Sequence, residues 1–142
     1  MADVMEVWKR ALEARKRRDI DAVVAGYAED AVLEGPGGRE IKGREAIRSY
    51  WQAQFDAGVA EITPLNQAVS GQTVFYEFLF TGTHTGPLPM PDGTTVPGSG
   101  KRFTHKVVAV TEIEGDLIKS SRTYFDRMTV LSQLGLLPQP QA

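Results

Sequence analysis

This 142-residue sequence holds two histidines and no cysteine, so few side chains can do chemistry near neutral pH. His84, in the stretch GTHTG before a proline-rich segment, titrates in the useful range and could give or take a proton. Its other reading is a turn histidine bonded to backbone. Lys106 lies in an alternating segment. On an inward face it would be desolvated and its pKa lowered, as an amine nucleophile or acid needs, whereas at a rim it would end in water. Glu34 borders the turn GPGG, where a carboxylate beside an apolar mouth has a raised pKa and a solvated one does not. Asp126 follows an alternating stretch and precedes a helical apolar pattern, so it either does chemistry or only ends a strand. His105 alternates with Lys106 and is expected to face outward.

Composition narrows the classes. Sixteen Lys and Arg against eighteen Asp and Glu give a formal charge of −2 and a pI near 5.7. No basic block could follow a phosphate backbone, so nucleic acid is not an expected partner. The lack of cysteine excludes disulfides and thiolate chemistry, and two isolated histidines make no zinc site, so no metal is expected. The opening residues MADVMEVWKR carry charges where a signal peptide needs an apolar run, and no uncharged stretch is long enough to span a bilayer. A single cytoplasmic domain over residues 1–142 is expected, with no membrane contact.

These residues must be placed by an α+β arrangement. Apolar spacing predicts helices over Asp3–Arg18, opened by a capping box of Asp3 and Glu6, over Asp19–Tyr27 with Asp19 as N-cap, and over Gly43–Phe55. The stretch DAVLEGPGG reads as a short extended piece ending in a turn. Alternation then marks long strands near Gly58–Val69, Gln72–Thr85, Arg102–Ile113 and Leu117–Phe125, with turns at Ser70–Gly71 and Glu114–Asp116. Strands this long must curve, and a curved sheet closed by helices makes a cone with an interior. Between the second and third of them lies TGPLPMPDGTTVPGSGK, too long for a simple hairpin and therefore a candidate functional loop.

The order of elements, together with the stretches RDIDAVVAGYAEDAVLEGP, IKGREAI, GTHTG, GKRF and YFD…LSQLGLLP, resembles the nuclear transport factor 2 fold. Within it, the chain resembles the SnoaL-like group of polyketide ester cyclases. The fold hosts isomerases, cyclases, dehydratases, epoxide hydrolases and proteins that only bind. The resemblance implies catalytic positions that can be tried in turn. The first cyclases and the limonene epoxide hydrolases place an essential aspartate where Thr123 stands here. The hydrolases also need an Arg and an Asp where Phe78 and Phe80 stand, and a Tyr and Asn near Leu33 and Gly35. Ketosteroid isomerases place their base near Gly35 and their oxyanion-hole Tyr and Asp near Ala11 and Val107. None of these sets is complete.

Alternation, with the resemblance choosing the inward face, predicts an interior lined by Tyr76, Phe78, Phe80, Gly82 and His84, by Thr104, Lys106, Val108 and Val110, and by Lys119, Ser121, Thr123 and Phe125. Trp51 is a further candidate contact, more often core than site. The expected ligand is a largely apolar small molecule held by one or two hydrogen bonds. Two functions follow: acid/base chemistry without cofactor on a hydrophobic carbonyl compound, as cyclisation, isomerisation or dehydration, or its non-catalytic carriage or sensing. The opposite face, expected to carry Phe75, Leu79, Phe103, Val107 and Ala109, predicts a homodimer.

Overall fold

The expected caps open the first two helices of the computed structural model, which describes residues 3–35, 38–90 and 93–136. Asp3 accepts from the Met5 and Glu6 amides ahead of α1 (Val4–Lys16), and Asp19 accepts from the Ala22 amide ahead of α2 (Ile20–Ala25). α2 stops short of Tyr27, because that residue already belongs to β1 (Tyr27–Glu34). β2 (Glu40–Lys42) folds back on β1, and Gly43, at φ 86°, starts α3 (Arg44–Ala57) in a conformation that side chains disfavour. The long strands β3 (Gly58–Ser70) and β4 (Thr73–His84) follow. After them come a two-residue pair, β5 (Leu88–Pro89) and β6 (Thr95–Val96), then β7 (Arg102–Glu114), β8 (Leu117–Tyr124) and α4 (Arg127–Gln133). Pro36 and Gly37 of the expected turn, Pro91 and Asp92 of the loop, and the end of LSQLGLLP beyond residue 136 lie outside the described residues.

The expected α+β architecture is present. Six strands form one curled, unclosed sheet in the order β2-β1-β8-β7-β4-β3, antiparallel except where β1 runs parallel to β8. α1 and α3 lie against its concave face. Trp8, fully buried, meets Tyr76 at 5.4 Å between ring centroids, and Val7, Leu12, Ile47, Val74, Phe78, Val107, Ala109 and Ile118 complete the core. At the junction of α1 and α2, Arg18 takes a positive φ of 56°. Its guanidinium donates to the carbonyls of Phe55 and Gly58 at the end of α3, so the strained backbone is held by bonds it makes elsewhere. Among the described residues no helix is long and apolar enough to cross a membrane.

Pairing between β4 and β7 decides which side chains face inward. Tyr76 is opposite Ala109, Phe78 opposite Val107, Phe80 opposite His105 and Gly82 opposite Phe103. Opposed residues share a face. The inward set on β7 is therefore Phe103, His105, Val107 and Ala109, and the expectation for this strand is corrected by one residue. Thr104, Lys106 and Val108 point to the convex face, with Thr104 bonded to Thr81 and Lys106 opposite Leu79. Val110 lies opposite Phe75 on that face, although it is buried. The convex face thus keeps Phe75 and Leu79 from the expected dimer surface but loses Phe103, Val107 and Ala109. On β8 a register shift between Glu112 and Ile113 turns Lys119 outward, where it pairs with Glu114 at 3.7 Å. Ser121 and Thr123 face inward as expected, opposite Thr111 and Ala109.

β8 ends before β7 does, and α4 takes its place. The Gln133 side-chain amide accepts from the Thr104 N–H at 2.6 Å and donates to the Thr104 carbonyl at 2.8 Å, pairing with the strand as a peptide group would. Lys101 Nζ adds a bond to the Leu134 carbonyl at the end of α4, where a cation is favoured. Gln133→Met is expected to lower unfolding stability in urea by about 0.5–1.5 kcal/mol. Gln133→Glu should cost more, because one carboxylate oxygen would then oppose the Thr104 carbonyl. Two variants as stable as the parent would show that α4 does not dock through this amide.

Candidate functional site

The concave face is an aromatic wall with few polar groups. Phe80 stacks on Phe103 at 5.8 Å, His105 meets Phe80 at 5.4 Å, Phe103 at 5.8 Å and Phe125 at 4.9 Å, and Tyr76 meets Phe78 at 5.9 Å. Gly82 makes this possible: a Cβ there would lie 2.5 Å from the Phe103 ring, so the ring lies over the bare backbone. From the helical side, Trp51 packs between Tyr50 at 5.2 Å and Phe55 at 6.0 Å. The rings touch one another, so a ligand against this wall must part them. Two open hollows, of about 310 and 290 Å³, lie elsewhere: one between α1, α2 and the β7–β8 turn, the other beside Lys16 and Ala60–Thr63 at the edge strand.

Within the wall His105 is the group suited to proton transfer. Its Nδ1 is buried without a hydrogen-bond partner, and burial pushes its pKa below the ordinary histidine value, against a smaller upward pull from the Lys106 backbone. At neutral pH the ring is therefore an uncharged base. His105, expected to face outward, faces inward because it pairs with Phe80. One signal in the sequence separates the two choices. The set Phe103, His105, Val107, Ala109 holds no permanently charged residue, whereas the set Thr104, Lys106, Val108, Val110 would bury an ammonium.

The other candidates are placed as follows. His84 faces inward and is 2% exposed. Its Nδ1 shares a hydrogen with the Ser99 hydroxyl at 3.0 Å, its carbonyl accepts from the Ser99 and Gly100 amides, and its Nε2 is buried without a partner. It thus pins the returning end of the proline-rich loop. That loop lies flat on the end of α3, where a Cβ at Gly86 would fall 1.8 Å from the Asp56 carbonyl oxygen. Lys106 is exposed on the convex face. Glu34 alternates with the inward Leu33 and lies beside Arg122 and Glu40, away from the wall. Asp126 is fully exposed and caps α4, accepting from the Met128 and Thr129 amides and the Thr129 hydroxyl. The Thr129 hydroxyl and amide hold its pKa below the usual carboxylate value. Ser121 is bonded to Thr111 at 3.0 Å, and Thr123 is half-buried opposite Ala109. No Asp or Glu is buried among the described residues, and no three His, Asp or Glu side chains gather there as metal ligands.

Because the unfolded chain takes up a proton at His105 more readily than the folded one, the residue adds stability that is full above about pH 6.5 and is lost as pH falls through the lower folded value. Urea unfolding of the parent should show stability falling through that acidic window, and His105→Gln should flatten the slope. An unchanged slope would place the titration elsewhere.

Between the helices and the sheet, half-buried Arg15 and Trp51 meet the buried Tyr27 and join α1, β1 and α3. Arg15 Nη2 donates to the Tyr27 hydroxyl at 2.9 Å and Trp51 Nε1 donates to it at 3.1 Å, while the guanidinium lies 4.5 Å from the Trp51 ring and 5.1 Å from the Trp8 ring. Trp51 is thus both a core residue and a hydrogen-bond donor.

Comparison with known proteins bears on the family and the fold. Residues 8–121 match the SnoaL-like domain. Among solved structures, a proposed polyketide cyclase from Xanthomonas campestris pv. campestris superposes with a TM-score of 0.81 at 21% identity, covering 92% of this chain and 96% of its own. IdmH, a proposed polyketide cyclase from Streptomyces antibioticus, gives 0.76 at 22% identity over 94% and 99%. An epoxide hydrolase from M. tuberculosis, of the LEH-like type, gives 0.72 at 21% over 92% and 88%. No curated protein matches the chain. With the domain match covering most of the sequence and the curled sheet in place, the chain belongs to the SnoaL-like family.

Proposed function

We propose that the chain is a small-molecule enzyme of the cyclase, isomerase or dehydratase type, moving a proton beside a carbonyl group of a hydrophobic ligand. The observation that carries this reading is His105: an imidazole among Phe80, Phe103 and Phe125, with Nδ1 unpartnered and its pKa depressed by burial. An uncharged base in an apolar site can take a proton α to a carbonyl and return it to another atom, and three rings supply a face for a flat ligand. In this reading Thr123 orients the ligand, and His84 with Ser99 holds the loop at the strand ends. The family supports a small-molecule role, and the names of the structural neighbours favour cyclase chemistry over others.

A carrier or sensor is the second reading, favoured by the lack, among the described residues, of a buried carboxylate to act with the histidine. Deuterium wash-in at the α-carbon of 2-tetralone, followed by NMR, separates the two. The parent should accelerate exchange above buffer, and His105→Gln should lower that rate by roughly 10²- to 10⁴-fold. Lys106→Met and Glu34→Gln should leave it unchanged. Binding of the ketone without accelerated exchange would establish the carrier reading.

A further inference from the structure

Arg15 carries a charge that the rest of the interior does not balance. Its Nε is buried with no partner, and among the described residues no carboxylate pairs with its guanidinium. Its contacts are two indole rings and the Tyr27 hydroxyl. Arg15 is half-buried, but with its Nε out of water the guanidinium gives up solvation without a counter-charge in return, and such groups in proteins are normally paired. Tyr27 is left incomplete in the complementary way. It is 1% exposed, and both of its partners, Arg15 and the Trp51 indole, can only donate. Its oxygen accepts from both, so its own proton has no acceptor in this cluster. Two N–H donors on that oxygen, one of them cationic, also make the hydroxyl a stronger donor.

We infer that the Arg15–Tyr27 pair receives an anionic oxygen of the ligand, so that the substrate class is an aromatic carboxylate whose rings lie along the Phe78–Phe80–His105 wall. Arg15 supplies the charge, and the Tyr27 proton supplies a hydrogen bond that nothing else in the cluster takes up. The surroundings of Tyr50 agree. Burial and the neighbouring Tyr27 push its hydroxyl pKa up, and the groups that pull the other way are Arg15, Arg39 and Arg127, with no carboxylate among its charged neighbours. Among the described residues neither Arg39 nor Arg127 has an acidic partner. The charges that bear on this end of the interior are therefore all positive, from half-buried Arg15 and Arg127 and exposed Arg39, in a chain whose formal net charge is −2. The inference rests on the reading of the concave face as the ligand site, and it does not require His105 to be a catalyst.

Calorimetric titration of the full chain with 2-naphthoate and with its uncharged analogue 2-naphthamide tests it, with the His105 ring signals in NMR reporting where each binds. The carboxylate should bind about 10-fold or more tightly than the amide, and both should move the His105 signals. Arg15→Met should abolish the preference, and His105→Gln should keep it. If Arg15→Met fails to fold, Tyr27→Phe, which keeps the ring, should cut the preference roughly 3- to 10-fold. Equal binding of the two compounds at the His105 wall would overturn the anion site and leave the concave-face reading standing. Binding of neither, or binding that leaves His105 unmoved, would overturn both.

Discussion

The Tyr27 hydroxyl is the point on which the helical layer and the sheet agree. Tyr27 begins β1, Arg15 ends α1 and Trp51 lies midway along α3, and one oxygen accepts from both of the last two. Arg15 in turn lies against Trp8, and Trp8 packs on Tyr76 of the central strand. The same few groups therefore hold the helices over the concave face and place a guanidinium, an indole N–H and a hydroxyl together at one point of it. A hydrophobic pair at this junction could hold the layers as well, since a partly desolvated charge without a counter-charge adds little to stability. Keeping a guanidinium there makes sense for a chain that uses the charge.

A second constraint is the register between β4 and β7. It puts Phe103 over Gly82 and His105 beside Phe80, and it sends Lys106 to the other face of the sheet. A slip of one residue would reverse all three. The chemistry of the interior is thus decided by strand pairing as much as by residue type. With Lys106 outward and Glu34 on the convex side, the inner face holds two histidines, a few hydroxyls and aromatic rings, and desolvation keeps the His105 imidazole uncharged.

Much of this architecture was legible in the sequence, because each signal was local. Asp3 and Asp19 announced their helices, alternation announced the long strands, and the order of elements pointed to the family. Asp126, which the sequence offered as a chemical group or a strand end, is instead the cap of the helix that follows it. The register of β7 was not legible. The loop from Thr85 to Lys101 is far longer than a tight turn, so its length imposes no register, and both alternating sets on β7 contain apolar residues. The shift near Glu112 that exposes Lys119 has no local signature either. Arg15 has no signature in the sequence for another reason: there it is one cation among several at the end of α1, and only the packing of Trp8 and Trp51 around it sets it apart.

The most direct test of the account is where an aromatic ketone sits. Intermolecular nuclear Overhauser contacts between bound 2-tetralone and the protein would answer this without reference to turnover. The account predicts contacts to the ring protons of Phe80, Phe103, His105 and Phe125 and none to Lys106 or Val108. Contacts to Lys106 and Val108, or to the hollow between α1 and α2, would contradict it.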